Sequence, residues 1–272
     1  MRISLNTSNR RENICAAFIF FTRLPLWRWC TPGRAAYATV VEHWPLTGWL
    51  TAAVMAAVIY FGSMVFPYPV AIILAILSRV LLTGALHEDG LADFFDGFGG
   101  GGTDRQRILG IMKDSHIGTY GVLALCVYML LLYHTLSSLP AKFAALVVLA
   151  ADPYSKMLAA QAVMMLPYAR TEETSKARVV YRRMSVGAGV SLFFQGILPV
   201  ALLLYMCNGC LGWDLTIFIP GLVMYFLYLF IWRRLRGYTG DCCGAMFLMI
   251  ELSFYLCVAC QYFNTPALWK LF

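Results

Sequence analysis

Three aspartates lie close together about one third of the way along the chain, directly after an apolar run. Asp89, Asp93 and Asp96 follow one another at i, i+4 and i+7, with His87 beside them. On an α-helix this spacing places the three carboxylates on one face, where they repel one another unless a cation lies between them. Mg²⁺ prefers oxygen ligands and commonly binds one or two carboxylates together with substrate phosphates. The pattern predicts a magnesium site formed by the three aspartates, with His87 as a further catalytic residue; a solvated acidic helix end is the alternative.

Three further carboxylates lie in later segments. Asp114 belongs to a short polar run before an apolar segment, and Asp241 opens another apolar segment. Glu251 follows inside that same apolar segment. Because a carboxylate that faces lipid is costly, Glu251 is expected to face the protein interior. We predict Asp114, Asp241 and Glu251 as additional metal ligands.

Side chains that donate hydrogen bonds to phosphate oxygens lie around the same segments. The candidates for substrate-phosphate binding are Arg79, Arg105, Lys113, Ser115, Lys156, Arg170 and Thr239. Four glycines at 99–102 let the backbone approach a ligand closely, although a flexible hinge accounts for them equally well. Lys156 follows Asp152 at i, i+4, so a self-neutralising pair is as consistent with this segment as a site. Carboxylates for a metal and bases for phosphate together favour phosphoryl or phosphodiester transfer.

The composition excludes an ordinary soluble domain. Of the 272 residues, 60% are hydrophobic and 13% are charged, with a mean hydropathy of +0.69, whereas soluble proteins contain about 25% charged residues. Seven apolar segments reach the length of roughly 20 residues that a bilayer requires. They are 45–66, 68–86, 120–139, 141–166, 186–207, 213–232 and 244–263. The predicted fold is an all-α polytopic membrane helix bundle of about seven transmembrane helices in one domain (1–272), with a long loop at 87–119.

The distribution of charge predicts an orientation in the membrane. The segment 14–21 is apolar but too short to span, and arginines and tryptophans flank it, so we expect an N-terminal interfacial helix. The net charge is +7, and the basic residues concentrate before the first span and in alternate loops after it. Such loops mark the cytoplasmic side of a membrane. The charge therefore indicates orientation, and no nucleic-acid partner is predicted.

Several short motifs occur in order along nearly the whole chain. They are Phe21-Thr22-Arg23-Leu24-Pro25, Trp44-Pro45-Leu46, His87-x-Asp89-Gly90-Leu91-Ala92-Asp93-x-x-Asp96-Gly97, Ile111-Met112-Lys113-Asp114-Ser115, Gly118-Thr119, Tyr168-Ala169-Arg170 and Thr239-Gly240-Asp241-x-x-Gly244-Ala245. At these residues the chain resembles the cobalamin 5′-phosphate synthase family, whose members are also called adenosylcobinamide-GDP ribazoletransferases. Two positions depart from the family pattern, since Lys156 and His116 stand where arginine is common. At Lys156 the change removes the bidentate geometry that arginine offers to phosphate.

The resemblance implies the last assembly step of coenzyme B12. The phosphocobinamide part of adenosylcobinamide-GDP would pass to α-ribazole or its 5′-phosphate, with release of GMP. A ribazole hydroxyl would attack the phosphorus attached to the cobinamide arm, and Mg²⁺ would screen the diphosphate. The family also implies a multi-pass protein of the bacterial cytoplasmic (inner) membrane, with its active-site loops on the cytoplasmic side. The lipid bilayer and other late enzymes of the corrinoid pathway are the partners it suggests.

Two other functions account for part of the same residues. CDP-alcohol phosphotransferases also use an aspartate-rich membrane motif, but Asp93 occupies the position of their arginine, and the later aspartate-rich half of that motif is missing. An ion- or proton-coupled transporter would use Arg79, Asp152, Lys156 and Glu251. Transporters favour midplane sites and inverted repeats, whereas most of the charge here lies at one membrane face and no repeat is visible. The synthase is therefore the preferred interpretation.

Overall fold

The computed structural model of the protein describes residues 9–170 and 181–272, which form a bundle of α-helices. In chain order the helices are α1 (Arg10–Phe21), α2 (Arg34–Tyr37), α3 (Trp44–Gly62), α4 (Tyr68–Thr83), α5 (Leu86–Gly100), α6 (Arg105–Lys113), α7 (Thr119–Ser137), α8 (Ala141–Met165), α9 (Val186–Met206), α10 (Trp213–Leu235), α11 (Gly240–Asn264) and α12 (Pro266–Trp269). A short 3₁₀ turn, Val40–His43, leads directly into α3. The predicted all-α architecture is confirmed.

Within these described ranges, six helices are long and apolar enough to cross a membrane. They are α3, α7, α8, α9, α10 and α11. A seventh span exists if α4 and α5 together make one broken segment, because they bend by 89° relative to each other. The prediction of a polytopic membrane bundle is confirmed, and the predicted second span, 68–86, is the one that is not continuous.

The chain bends between α4 and α5 because two consecutive residues adopt left-handed backbone conformations. Gly84 has φ 66° and Ala85 has φ 57°. The segment after α1 docks on this bend. The Arg23 N–H donates to the Leu82 carbonyl at 2.7 Å, and the Arg23 side chain occupies the space where a Cβ on Gly84 would lie. The bend therefore depends on glycine at this position.

The expectation of a loop over residues 87–119 is wrong, since α5 and α6 occupy most of it. Helix α5 forms because Leu91, Phe94 and Phe98 recur at helical spacing and are buried together. The carboxylates and glycines between them are typical of a loop by composition. Tertiary burial of one apolar face decides in favour of a helix.

Helices α8 and α11 form the centre of the bundle. In their apolar windows 83% and 67% of the residues are buried, compared with 17% in α10 and 28% in both α7 and α9. Helix α8 is rich in alanine, which allows the backbones of α3, α9 and α11 to approach it closely. The peripheral helices expose large apolar side chains, as helices that face lipid do.

Helix α1 covers the predicted N-terminal segment 14–21 and extends it toward the N terminus. It buries Ala16, Ala17 and Phe21 against the bundle. The predicted helix is therefore confirmed, whereas its position at a membrane interface stays a prediction.

Three connections meet at one end of the bundle. Arg105, the first residue of α6, donates from its guanidinium to the carbonyls of Leu235 at 2.8 Å and Ala169 at 2.7 Å. Arg170 donates from Nη2 to the Leu109 carbonyl at 3.0 Å. The segments that follow α5, α8 and α10 are thereby held together, and they bring polar motifs that are distant in the sequence into one region.

Candidate active site

A cavity of about 150 Å³ lies at this end of the bundle. Five predicted site residues line it together: His87, Asp89, Arg170, Thr239 and Asp241. Much of the remaining wall is aromatic and comes from Phe20, Phe21, Trp44, Tyr168 and Tyr181. The cavity therefore joins the predicted polar motifs of α5, of the segment after α8 and of α11 to rings supplied mainly by the N-terminal part of the chain.

Two helix N termini open into the cavity. Asp89 lies in the first turn of α5, and Asp241 lies in the first turn of α11. The two helices approach closely at Gly90, where an added Cβ would lie 3.0 Å from the carbonyl oxygen of Asp241. Thr239 caps α11, because its Oγ1 accepts a hydrogen bond from the Cys242 N–H at 3.2 Å. Converging helix N termini favour a bound anion such as phosphate.

The carboxylates of Asp89 and Asp241 suit Mg²⁺ as part of a ligand set. Across residues 9–170 and 181–272, no group of three or more His, Cys, Asp or Glu side chains is placed to hold a metal ion. Mg²⁺ nevertheless keeps several waters and commonly takes one or two protein carboxylates together with substrate phosphates. Asp89 and Asp241 therefore fit a metal that binds with a phosphorylated substrate.

The other two aspartates of α5 have different surroundings. Asp93 lies one turn after Asp89 and is half-buried. Asp96 is buried, and its carboxylate oxygens accept hydrogen bonds from the backbone N–H groups of Gly118 at 2.7 Å and Gly121 at 2.9 Å. Both donors belong to the start of α7, where a helix leaves N–H groups without partners of their own. Asp96 therefore caps α7 in this structure.

The polar segment between α6 and α7 lies on the surface. Lys113, Asp114 and Ser115 are all exposed. Nδ1 of His116 lies 2.6 Å from Oδ1 of Asp114. This hydrogen bond lowers the pKa of the Asp114 carboxyl and raises the pKa of the His116 imidazole. Asp114 thus pairs with His116, and neither residue lines the cavity.

A second cavity, of about 370 Å³, lies beside the first. Arg105, Lys113 and Arg170 line it, and Arg170 lines both cavities. Two of the Arg105 nitrogens donate to backbone carbonyls, so this side chain holds the segments that follow α8 and α10 in place. The structure therefore brings three predicted phosphate-binding residues together in a second cavity, beside the one that Asp89 and Asp241 line.

Arg79 and Glu251 bind each other in the interior of the bundle. Nη1 of Arg79 lies 2.6 Å from Oε2 of Glu251, and Nη2 donates to the Tyr128 hydroxyl at 2.7 Å. Glu251 also accepts a hydrogen bond from the Tyr255 hydroxyl at 2.9 Å. The predicted phosphate ligand and the predicted metal ligand are thus partners of one another, and neither lines the cavity.

Lys156 forms a second buried ion pair. Its Nζ lies 2.6 Å from Oδ1 of Asp152 and 3.0 Å from the Thr51 hydroxyl. The same Nζ lies 4.7 Å from the ring centroid of Phe247, which in turn contacts the ring of His87 at 4.7 Å. The arrangement matches the self-neutralising pair considered for this segment. Lys156 does not line the cavity, because Phe247 and His87 lie between them.

Sequence reasoning does not find the aromatic wall. The ring of Trp44 stacks on Phe21 at a centroid distance of 5.1 Å and on His87 at 5.8 Å. A signal exists, because Phe21, Trp44 and Tyr168 all belong to motifs of the resembled family. Aromatic residues near helix ends usually pack against their neighbours. Only the cavity shows that these rings also surround a binding space.

Comparison with known proteins agrees with the geometry. The cobalamin-5-phosphate synthase family model matches residues 13–259. An adenosylcobinamide-GDP ribazoletransferase from Leptospira interrogans is 33% identical over 251 residues, which cover 90% of this chain and 94% of the relative. The protein of the same name from Vibrio parahaemolyticus is 35% identical over 265 residues, covering 93% and 94%. One from Shewanella baltica is 34% identical over 239 residues, covering 87% and 89%.

No solved structure matches the chain. The family match runs from α1 into α11 and includes the segments whose polar and aromatic side chains meet at the cavity. This chain therefore belongs to the cobalamin-5-phosphate synthase family.

Proposed function

We propose that the protein is an adenosylcobinamide-GDP ribazoletransferase. It transfers the phosphocobinamide part of adenosylcobinamide-GDP to α-ribazole or its 5′-phosphate and releases GMP, which is the last assembly step of coenzyme B12. The observation that carries the proposal is the cavity, where two carboxylates and two helix N termini face one space. Alignment with ribazoletransferases along about 90% of the chain supports the choice of substrates.

The reaction exchanges one bond to phosphorus for another. A ribazole oxygen bonds to the phosphorus attached to the cobinamide arm, the phosphoanhydride bond to GMP breaks, and the hydroxyl proton is taken up. The N–H groups at the starts of α5 and α11 would hold the diphosphate, and Arg170 would add positive charge at the cavity wall. We infer that His87, which lines the cavity, accepts this proton.

We propose Mg²⁺ as the cofactor, held by Asp89 and Asp241, with Asp93 close by on α5. When bound, it neutralises charge on the diphosphate and on the departing GMP. Asp96, Asp114 and Glu251 stay predicted ligands that this arrangement does not favour, because none of the three lines the cavity.

We further infer that the protein resides in the bacterial cytoplasmic membrane, with the cavity facing the cytoplasm. The basic residues of alternate loops support this orientation. Contact with other late enzymes of the corrinoid pathway stays a prediction.

Release of GMP by the purified protein in lipid nanodiscs tests the proposed activity. With adenosylcobinamide-GDP, GMP should appear only when α-ribazole (or its 5′-phosphate) and Mg²⁺ are both present, and EDTA should abolish it until Mg²⁺ is restored. We expect Asp89→Asn to lower turnover by about 10²-fold or more, which is typical when one group that stabilises the charge of the transition state is removed.

Asp214→Asn is the matched control for Asp89→Asn. Asp214 is an exposed aspartate in the first turn of α10, and the length of that 23-residue helix places it about 32 Å from the end that contacts Arg105. Its loss should leave turnover unchanged. GMP release without ribazole, or wild-type turnover by Asp89→Asn, would contradict the proposal.

A further inference from the structure

A buried arginine joins the two helices whose first turns carry Asp89 and Asp241. Arg79 of α4 is only 2% exposed. Its Nη1 donates to Oε2 of Glu251 on α11 at 2.6 Å, and its Nη2 lies 3.8 Å from Oε1 of Glu88 on α5. Glu88 directly precedes Asp89 in the chain. One guanidinium therefore attracts a carboxylate on each of the two helices.

Glu88 depends on Arg79 for its counter-charge. The residue is 5% exposed, and Arg79 is the cation with which it pairs in the described part of the chain. Its Oε2 has no hydrogen-bond partner among the described residues. A buried carboxylate without a counter-charge is costly. The attraction to Arg79 therefore favours the position that the first turn of α5 takes in the bundle.

At their N-terminal ends the backbones of α5 and α11 are in direct contact. An added Cβ on Gly90 would lie 3.0 Å from the Asp241 carbonyl oxygen, and one on Gly244 would lie 3.4 Å from the backbone of α5. Small residues allow such close approach. Glu251 lies seven residues, or about 10 Å, farther along α11 than Gly244. Arg79 thus adds a charged contact deeper in the bundle, below the point where the backbones meet.

We propose that Arg79 is a positioning residue of the reaction. By binding Glu251 and attracting Glu88, it holds the first turn of α5 in place against α11. It thereby sets the separation of Asp89 and Asp241, the two carboxylates that would hold the metal. Arg79 does not line the cavity, so it acts through the helices. The consequence for metal binding rests on the proposed function, whereas the contact between the helices does not.

The second buried ion pair of the bundle provides a matched control. Asp152 and Lys156 are each 1% exposed, so they are as buried as Arg79. Asp152 lies 2.6 Å from Lys156 on its own helix and accepts a hydrogen bond from the Thr51 hydroxyl of α3 at 2.6 Å. Both partners lie outside α5 and α11. Asp152→Asn should therefore cost stability, as the loss of one buried charge does, without moving α5.

Hydrogen–deuterium exchange of the full-length protein in nanodiscs, without substrates or metal, tests the position of α5. Arg79→Gln leaves two buried carboxylates without their counter-charge, so we expect exchange of the N–H groups of 89–94 and 243–248 to rise roughly tenfold or more. Glu88→Gln removes only the attraction to α5 and should raise exchange at 89–94 alone. Asp152→Asn should leave both segments at the wild-type rate. If Arg79→Gln fails to fold, Glu88→Gln carries the test.

Release of GMP at increasing Mg²⁺ concentration tests the consequence for the reaction. Arg79→Gln should raise the Mg²⁺ concentration for half-maximal turnover about tenfold, because the two metal-binding carboxylates no longer keep their separation. Arg79→Lys should restore part of this loss, since lysine keeps the positive charge but not the planar fork of arginine. Asp152→Asn should keep the Mg²⁺ dependence of the wild-type protein.

Two exchange patterns would overturn the proposal. One is a rise spread evenly over all helices in Arg79→Gln, and the other is wild-type exchange at 89–94 in both Arg79→Gln and Glu88→Gln. Wild-type Mg²⁺ dependence in a variant whose α5 exchanges faster would also overturn it, because α5 would have moved without effect on the metal. If the wild-type protein releases no GMP, the proposed activity fails, and the exchange pattern still decides whether Arg79 positions α5.

Discussion

Asp89 and Asp96 lie on the same helix, but their carboxylates meet different surroundings. Asp89 is exposed at the cavity wall. Asp96 is 8% exposed and accepts two backbone hydrogen bonds at the start of α7. A carboxylate at a helix N terminus stabilises the fold by pairing with otherwise unpaired N–H groups. The two residues are thus expected to respond differently to the same substitution.

Asp96→Asn should destabilise the protein. The amide nitrogen of asparagine cannot accept a hydrogen bond, so the N–H of Gly118 or Gly121 would lose its acceptor. We expect the free energy of unfolding to fall by about 1–3 kcal/mol, measured as a lower Tm in nanodiscs. Asp89→Asn is the comparison and should melt close to the wild-type temperature. Wild-type melting of Asp96→Asn with complete loss of metal-dependent turnover would instead make Asp96 a direct metal ligand.

At the scale of elements, the bend between α4 and α5 sets the position of the carboxylates. Gly84 and Ala85 turn the chain by 89° and aim the N terminus of α5 into the cavity. Arg23 packs against Gly84 and joins the bend to the segment that follows α1. The same bend therefore places both Asp89 and part of the aromatic wall.

Gly84→Ala should reduce both stability and turnover. An added Cβ would meet the Arg23 side chain and would occupy a left-handed conformation, φ 66°, that costs about 1–2 kcal/mol for a non-glycine residue. We expect a lower Tm and slower GMP release, because α5 shifts relative to α11. Gly221→Ala is the control: Gly221 lies within α10 with open space around it, and alanine there should be neutral or slightly stabilising. Equal melting temperatures for the two variants would show that the bend tolerates a side chain.

At the scale of the whole molecule, the bundle is asymmetric along its axis. One end gathers α6, the connection after α8 and the end of α10 around the two cavities. The opposite end holds the connection between α7 and α8 near Ser138. Positive charge in the loops of the first end predicts that it faces the cytoplasm.

Cysteine labelling of intact cells tests this orientation, in a background without the nine native cysteines. Thr103→Cys and Ser138→Cys are conservative changes at exposed positions of opposite ends. An impermeant maleimide should label Ser138→Cys in intact cells and Thr103→Cys only after permeabilisation. The reverse pattern would place the cavity on the outer side of the membrane and contradict the proposed location.

The sequence by itself determined the class of protein and much of the site. Runs of about 20 apolar residues must form membrane helices, because a backbone in lipid has to satisfy its own polar groups. Local motifs also identified His87, Asp89, Arg170, Thr239 and Asp241 as site candidates, and all five line one cavity. These conclusions depend on composition and short-range spacing, which a single chain displays directly.

Only the tertiary structure decided which polar residues reach that cavity and which pair elsewhere. Arg79 and Glu251 are 172 positions apart and bind each other, while Asp96 turns to the start of α7. The aromatic wall likewise forms because helix packing brings Trp44 beside His87. Helical periodicity shows that one face of a helix is buried, but the partner of that face depends on how helices far apart in the sequence pack. For this reason three carboxylates that the sequence predicts as metal ligands have different surroundings. Asp89 lines the cavity, Asp96 caps a helix and Glu251 forms a buried ion pair.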